Sequence, residues 1–131
     1  MSKIDWTEML GWESEEMEDL RFVAYSYIKQ GHYDIALKFF EGLVILDPNN
    51  SYDLQTIGAL YLQKGNSLEA LHYLDRALKL VPDHFPSLLN RAKSLFMLGY
   101  KNQGITQAME LEKCEDPNIS KQASALLLAY I

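Results

Sequence analysis

Cysteine is nearly absent from this chain. Cys114 stands alone in 131 residues, so no intramolecular disulfide and no thiolate cluster can form, and a reducing, cytoplasmic setting is the simplest expectation. Basic residues are scarce as well: 12 Lys and Arg against 18 Asp and Glu leave a formal net charge of −6, which removes the electrostatic footprint that nucleic acid or an anionic membrane needs. Long apolar runs are missing. The longest charge-free apolar stretch, 125–131, is far too short to cross a bilayer, and the opening Met1-Ser2-Lys3-Ile4-Asp5-Trp6 contains no signal core. Chemistry-bearing clusters are missing too. Of three histidines, only His72 has even a weak partner, Asp75 at i+3, so all three read as surface residues. Cys114 sits beside Glu112 and Glu115, which disfavour a thiolate, and the glycines lack the lysine-serine signature of a phosphate loop. No enzyme activity, metal or cofactor is expected.

What the chain does have is a period. Gly31, Gly65 and Gly99 are 34 residues apart, as are Leu20, Leu54 and Leu88; the small residues Ala24, Gly58 and Ala92, and again Ala36, Ala70 and Gly104, keep the same interval. Pro48 and Pro82 match, with Pro117 one residue late. Within one period, Leu20, Val23, Ala24 and Tyr27 recur at helical spacing, a glycine interrupts, and Ala36, Phe40 and Leu43 form a second stripe. The glycine suits a tight turn with positive φ. The proline stops the second helix, and Asn49, Asn50 or Ser51 can cap the next.

The pattern resembles the tetratricopeptide repeat (TPR) family, whose helix–turn–helix units recur at this period and stack into a solenoid. That resemblance implies an all-α fold with three repeats at 17–50, 51–84 and 85–118, a short N-terminal helix within 1–13, and a capping helix over 119–131, all as one domain. Asp5-Trp6-Thr7-Glu8 resembles a capping box for the N-terminal helix. Gly104 stands where alanine is usual, at about 1 kcal/mol in helix propensity, and Arg91 stands where an apolar residue is expected. Leu128 and Ile131 fall off the stripe of the capping helix, and are either exposed or part of a subunit contact.

In such a solenoid the first helix of each unit lines a concave face. The expected lining is Arg21, Tyr25 and Ile28 from the first unit, Tyr52, Gln55, Ala59 and Leu62 from the second, and Leu89, Lys93, Phe96 and Met97 from the third. Tyr25, Ile28, Tyr52, Leu62, Leu89, Phe96 and Met97 lie off the core stripe, yet are apolar. They read as a groove for an apolar strand or amphipathic helix, unless the Trp6 and Trp12 segment or neighbouring helices cover them. TPR domains that grip acidic chaperone tails use a carboxylate clamp; Arg21, Tyr25, Thr56, Pro86 and Asn90 occupy its positions here, and a lone arginine does not make one.

A narrower resemblance rests on Ala24-Tyr25-Ser26-Tyr27, Gly31, Tyr33, Ala36, Phe39-Phe40, Leu43 and Asp47, with Asp83 and Pro86 opening the third repeat. This set is similar to the TPR chaperones of bacterial type III secretion. It implies a chaperone that sequesters a segment of a secreted translocator or needle-type subunit, the needle class adding a second small co-chaperone. The competing expectation is a TPR scaffold or adaptor in a cytoplasmic protein complex.

Overall fold

The computed structural model describes residues 14–131, and every regular element within them is a helix. Seven follow in order: α1 (Ser14–Lys29), α2 (Tyr33–Leu46), α3 (Ser51–Gln63), α4 (Ser67–Leu80), α5 (Phe85–Met97), α6 (Lys101–Glu112) and α7 (Pro117–Tyr130). Consecutive helices pack against each other, and α3 also touches α5 as α5 touches α7. The result is the all-α stack of paired helices that the repeat implies. The N-terminal helix expected within 1–13, with Trp6 and Trp12, lies outside the described residues.

Three glycines set the turn inside each pair. Gly31, Gly65 and Gly99 have φ of 81°, 82° and 87°, and a Cβ added at any of them would meet nothing within 4 Å. The requirement is therefore conformational: a left-handed residue other than glycine costs roughly 1–2 kcal/mol. The amide after each glycine closes the turn on a carbonyl five residues back, His32 to Tyr27, Asn66 to Tyr61 and Tyr100 to Leu95, each at 2.9 Å. Between pairs, side-chain caps start the next helix. Asn50 accepts from the Asp53 amide at 3.0 Å, His84 Nδ1 from the Ser87 amide at 3.3 Å, and Asp116 from the amides of Asn118 and Ile119. The closing helix thus begins at Pro117 rather than at Ile119, because the fixed φ of proline suits the first helical position and Asp116 caps it.

Small residues let the helices approach. Ala24, Ala36, Ala70 and Ala92 are fully buried. A Cβ on Gly58 would lie 2.7 Å from Leu74 Cγ, so α3 and α4 pack with glycine as a dimension of the contact. Tyr27 stacks on Phe39 at 5.6 Å and Tyr61 on Tyr73 at 5.7 Å, and the Tyr61 hydroxyl donates to Glu41 at 2.9 Å. That acceptor carboxylate, with burial, pushes the Tyr61 hydroxyl up to about 12.

Two oddities of the third unit have structural causes. Arg91, in an otherwise apolar position, joins three helices: its Nε donates to Asp75 of α4 at 2.8 Å and its Nη1 to Gln107 of α6 at 3.1 Å. Gly104 seats an aromatic ring; a Cβ there would come within 2.9 Å of Phe96 Cδ1 and Cε1. The helix propensity given up at Gly104 is exchanged for burial of Phe96, worth roughly 1.5–3 kcal/mol.

Candidate functional site

The first helices of the three pairs, α1, α3 and α5, carry the expected groove residues in rows that step from unit to unit by 34 residues. One row, Arg21, Gln55 and Leu89, faces the next first-position helix rather than solvent. Arg21 reaches Asp53 of α3, Gln55 meets Ser87 of α5 at 3.4 Å, and Leu89 packs with Ile119 and Ala123 of α7. The seam between successive first helices therefore changes along the solenoid from an ion pair, to neutral hydrogen bonding, to hydrocarbon.

Arg21 is the most heavily engaged side chain of the set. Its Nε donates to Asp53 Oδ1 at 2.8 Å, its Nη2 to Asp53 Oδ2 and Asp47 Oδ2 at 2.9 Å each, and its Nη1 to Glu18 at 2.6 Å. These partners, Asp53 first, hold the guanidinium above its ordinary pKa despite burial. Burial in turn pushes the Asp53 carboxyl up, against the pull of Arg21. Four of the five N–H donors of the guanidinium are thus taken up by carboxylates of the chain itself.

Two residues expected in the groove are instead core. Leu89 is 3% and Phe96 6% exposed. Helix α7 covers both: Phe96 stacks face to face on Tyr130 at 4.3 Å and packs with Leu127, while Leu89 sits against the first turns of the same helix. At the third unit the neighbouring-helix alternative is the one realised, because the closing helix occupies the place that a fourth unit's first helix would take.

The remaining positions form an open surface. Tyr25, Tyr52 and Met97 are 43%, 40% and 52% exposed; Ala59 is exposed as well, while Ile28, Gln55, Leu62 and Lys93 are half-buried. Phe22 was not among the expected lining residues, yet it is 73% exposed beside Tyr25. The signal was available, since the positions 34 and 68 residues on, Thr56 and Asn90, are polar and an aromatic ring there serves no packing repeat.

Among the described residues, no group of three or more His, Cys, Asp or Glu side chains is placed to hold a metal ion, and no helix is long and apolar enough to cross a membrane. Leu128 and Ile131 at the far end are 86% and 78% exposed.

Residues 29–111 match the family model described as anaphase-promoting complex, cyclosome, subunit 3. A curated relative, the TPR repeat-containing thioredoxin TTL4 of Arabidopsis thaliana, is 29% identical over 83 residues, which is 63% of this chain; the chain spans only 12% of that relative's length. Among solved structures, the Yersinia enterocolitica type III secretion translocator chaperone SycD superposes with a TM-score of 0.81 at 20% identity, over 98% of this chain and 99% of SycD. PcrH in complex with the chaperone binding region of PopD also gives a TM-score of 0.81, at 21% identity, over 92% of this chain and 94% of PcrH, a protein of Pseudomonas aeruginosa. The shared fold is the TPR solenoid, an architecture whose concave face binds peptides of other proteins.

Proposed function

Because the chain belongs to the TPR-type family described as anaphase-promoting complex, cyclosome, subunit 3, we propose that its concave face docks a segment of another protein, and that the chain acts as a type III secretion chaperone. In this reading it sequesters an apolar or amphipathic segment of a secreted translocator or needle-type subunit in the cytoplasm. The observation that carries the reading is the solvent exposure of the large side chains Tyr25, Tyr52 and Met97 on the first helices, with Ala59 exposed and Ile28 and Leu62 half-buried. Exposed large side chains offer a ligand anchor sites. Burying one anchoring side chain there is worth roughly 1.5–3 kcal/mol, so several anchors together with backbone contacts are needed to reach the roughly 8 kcal/mol of micromolar binding after association costs. The secretion assignment draws support from the near full-length likeness to SycD and PcrH, solved respectively with a peptide of the translocator YopD and with a region of PopD.

The mechanism is differential binding. A segment that would otherwise drive self-assembly of its parent protein is held in the groove, and is released when a receptor competes for it. The groove is shorter than the three-unit lining first expected, since Leu89 and Phe96 are occupied by α7. The docked segment therefore spans α1 and α3 and ends near Lys93 and Met97 of α5.

A second reading, a scaffold in a cytoplasmic complex, is favoured by the family's own description as a subunit of a multiprotein assembly. Affinity capture from the native cell followed by co-expression separates the two. A captured secreted protein that is soluble only when co-expressed supports the chaperone; one soluble alone supports the scaffold. In either case Tyr52→Asp with Met97→Asp should abolish capture while leaving helicity unchanged, and undiminished capture would sink the groove.

A further inference from the structure

The seam between α1 and α3 is unlike the others. Whereas α3 touches α5 and α5 touches α7, the Cα atoms of α1 and α3 come nowhere within 8 Å of each other, and the long Arg21 side chain bridges the gap. The space left in front of that bridge is a cleft of about 460 Å³ lined by Glu18, Arg21, Phe22, Tyr25, Asn50 and Tyr52. We propose that this cleft is a subsite for a basic side chain, arginine or lysine, of the docked partner; the assignment deepens the proposed docking function and rests on it.

Charge decides the sign of the guest. One guanidinium faces three carboxylates, Glu18, Asp47 and Asp53, so the cluster keeps a surplus of two negative charges. Glu18 and Asp47 each use a single oxygen toward Arg21, and among the described residues Glu18 Oε2 and Asp47 Oδ1 accept no hydrogen bond, the Glu18 oxygen belonging to the wall of the cleft itself. Glu15 and Glu16 in the first turn of α1 add to the same potential. An acidic guest would be repelled, and a purely apolar one would strip water from the surplus carboxylates without replacing their hydrogen bonds.

The walls decide its chemistry. Phe22, Tyr25 and Tyr52 present exposed rings, and cations bind over such ring faces. The protein already uses this attraction nearby, since the Lys29 ammonium lies 5.1 Å from the Tyr25 ring centroid. A planar guanidinium or a lysine stem fits between aromatic walls, its charge directed at the free carboxylate oxygens.

The test uses two acetylated, amidated peptides, Ser-Leu-Gln-X-Leu-Gln-Ser, with X either arginine or norleucine, titrated into isotope-labelled protein at low salt and followed by NMR. The arginine peptide should bind roughly tenfold more tightly, shift the ring resonances of Phe22, Tyr25 and Tyr52, and lose its advantage as salt rises. Phe22→Leu with Glu18→Gln should erase that advantage at an unchanged melting temperature, since both side chains are largely exposed. Equal affinities with shifts confined to Leu62 and Met97 would overturn the basic subsite while the groove stood. No shift on the concave face with either peptide would overturn both.

Discussion

Replacing Arg21 by leucine should cost about 3–5 kcal/mol at neutral pH, the range for breaking a buried ion pair by deleting one partner. The structure locates the loss on one atom group. Glu18 and Asp47 have side chains 70% and 37% exposed, so water replaces the guanidinium for them at little cost. Asp53 is fully buried, and among the described residues all the donors reaching its carboxylate belong to Arg21. Without them the carboxylate is desolvated and unpaired. Adding Asp53→Leu to Arg21→Leu should recover most of the loss, because a hydrocarbon pair of similar volume no longer carries a buried charge. The loss should also depend on pH. Burial already raises the Asp53 carboxyl, and removing Arg21 raises it further. A carboxylate with a raised folded-state pKa destabilises fully above that value, and the penalty is relieved as pH falls toward the unfolded value of about 3.9. Urea unfolding followed by circular dichroism, at neutral pH and again near pH 5, would measure the difference between parent and variant. Hydrogen exchange should show α1 and α2 losing protection first, since in a stacked array each pair is held by its neighbour. A neutral-pH loss below about 1 kcal/mol, or a double variant no more stable than Arg21→Leu, would refute the assignment of the ion pair as the clasp of the first seam.

Three further outcomes are expected. Gly104→Ala should destabilise by about 1–3 kcal/mol although alanine is the better helix former, because its methyl group would meet the Phe96 ring; Phe96→Leu in the same chain should restore stability in thermal melts. Leu89→Asp should cost about 3 kcal/mol or more in chemical denaturation, by burying an unpaired charge beneath α7, whereas Met97→Asp should melt like the parent. His84 caps α5 through a neutral Nδ1, and burial lowers its pKa from 6.5, so its contribution of about 1 kcal/mol is complete above that pH and fades as pH falls through the depressed folded-state value. In His84→Asn, whose cap does not titrate, the fall should be absent, so the parent's urea-unfolding free energy minus the variant's should decrease as pH drops below 6.5.

Much of the fold was legible along the chain. The three glycines announced turns that require positive φ, the alanines and Gly58 announced close helix contacts, and the apolar spacing within each period announced two helices. The site was legible only in part. Tyr25, Tyr52, Ala59 and Met97 face outward as their positions suggest, but Leu89 and Phe96, expected in the same lining, are buried. Phe22 stands outside the repeating lining positions, and an exposed ring at a position otherwise polar is an exception to the repeat. The anomaly of Arg91 could be seen but not explained, since its partners Asp75 and Gln107 are each 16 residues away on other helices.

The sequence by itself determined much of what depends on neighbours within one turn or one period: the pair of helices in each period, the glycine turn between them, and the stacking of like units. These follow from backbone sterics and from apolar spacing, which are properties of short stretches. Only the tertiary structure decided which members of a repeating row meet solvent. The side chain at that row's place in a first helix is buried or free according to what lies against it, and this differs from unit to unit. Against Arg21 stands a buried carboxylate, against Gln55 a serine hydroxyl, and against Leu89 a closing helix that turns groove into core.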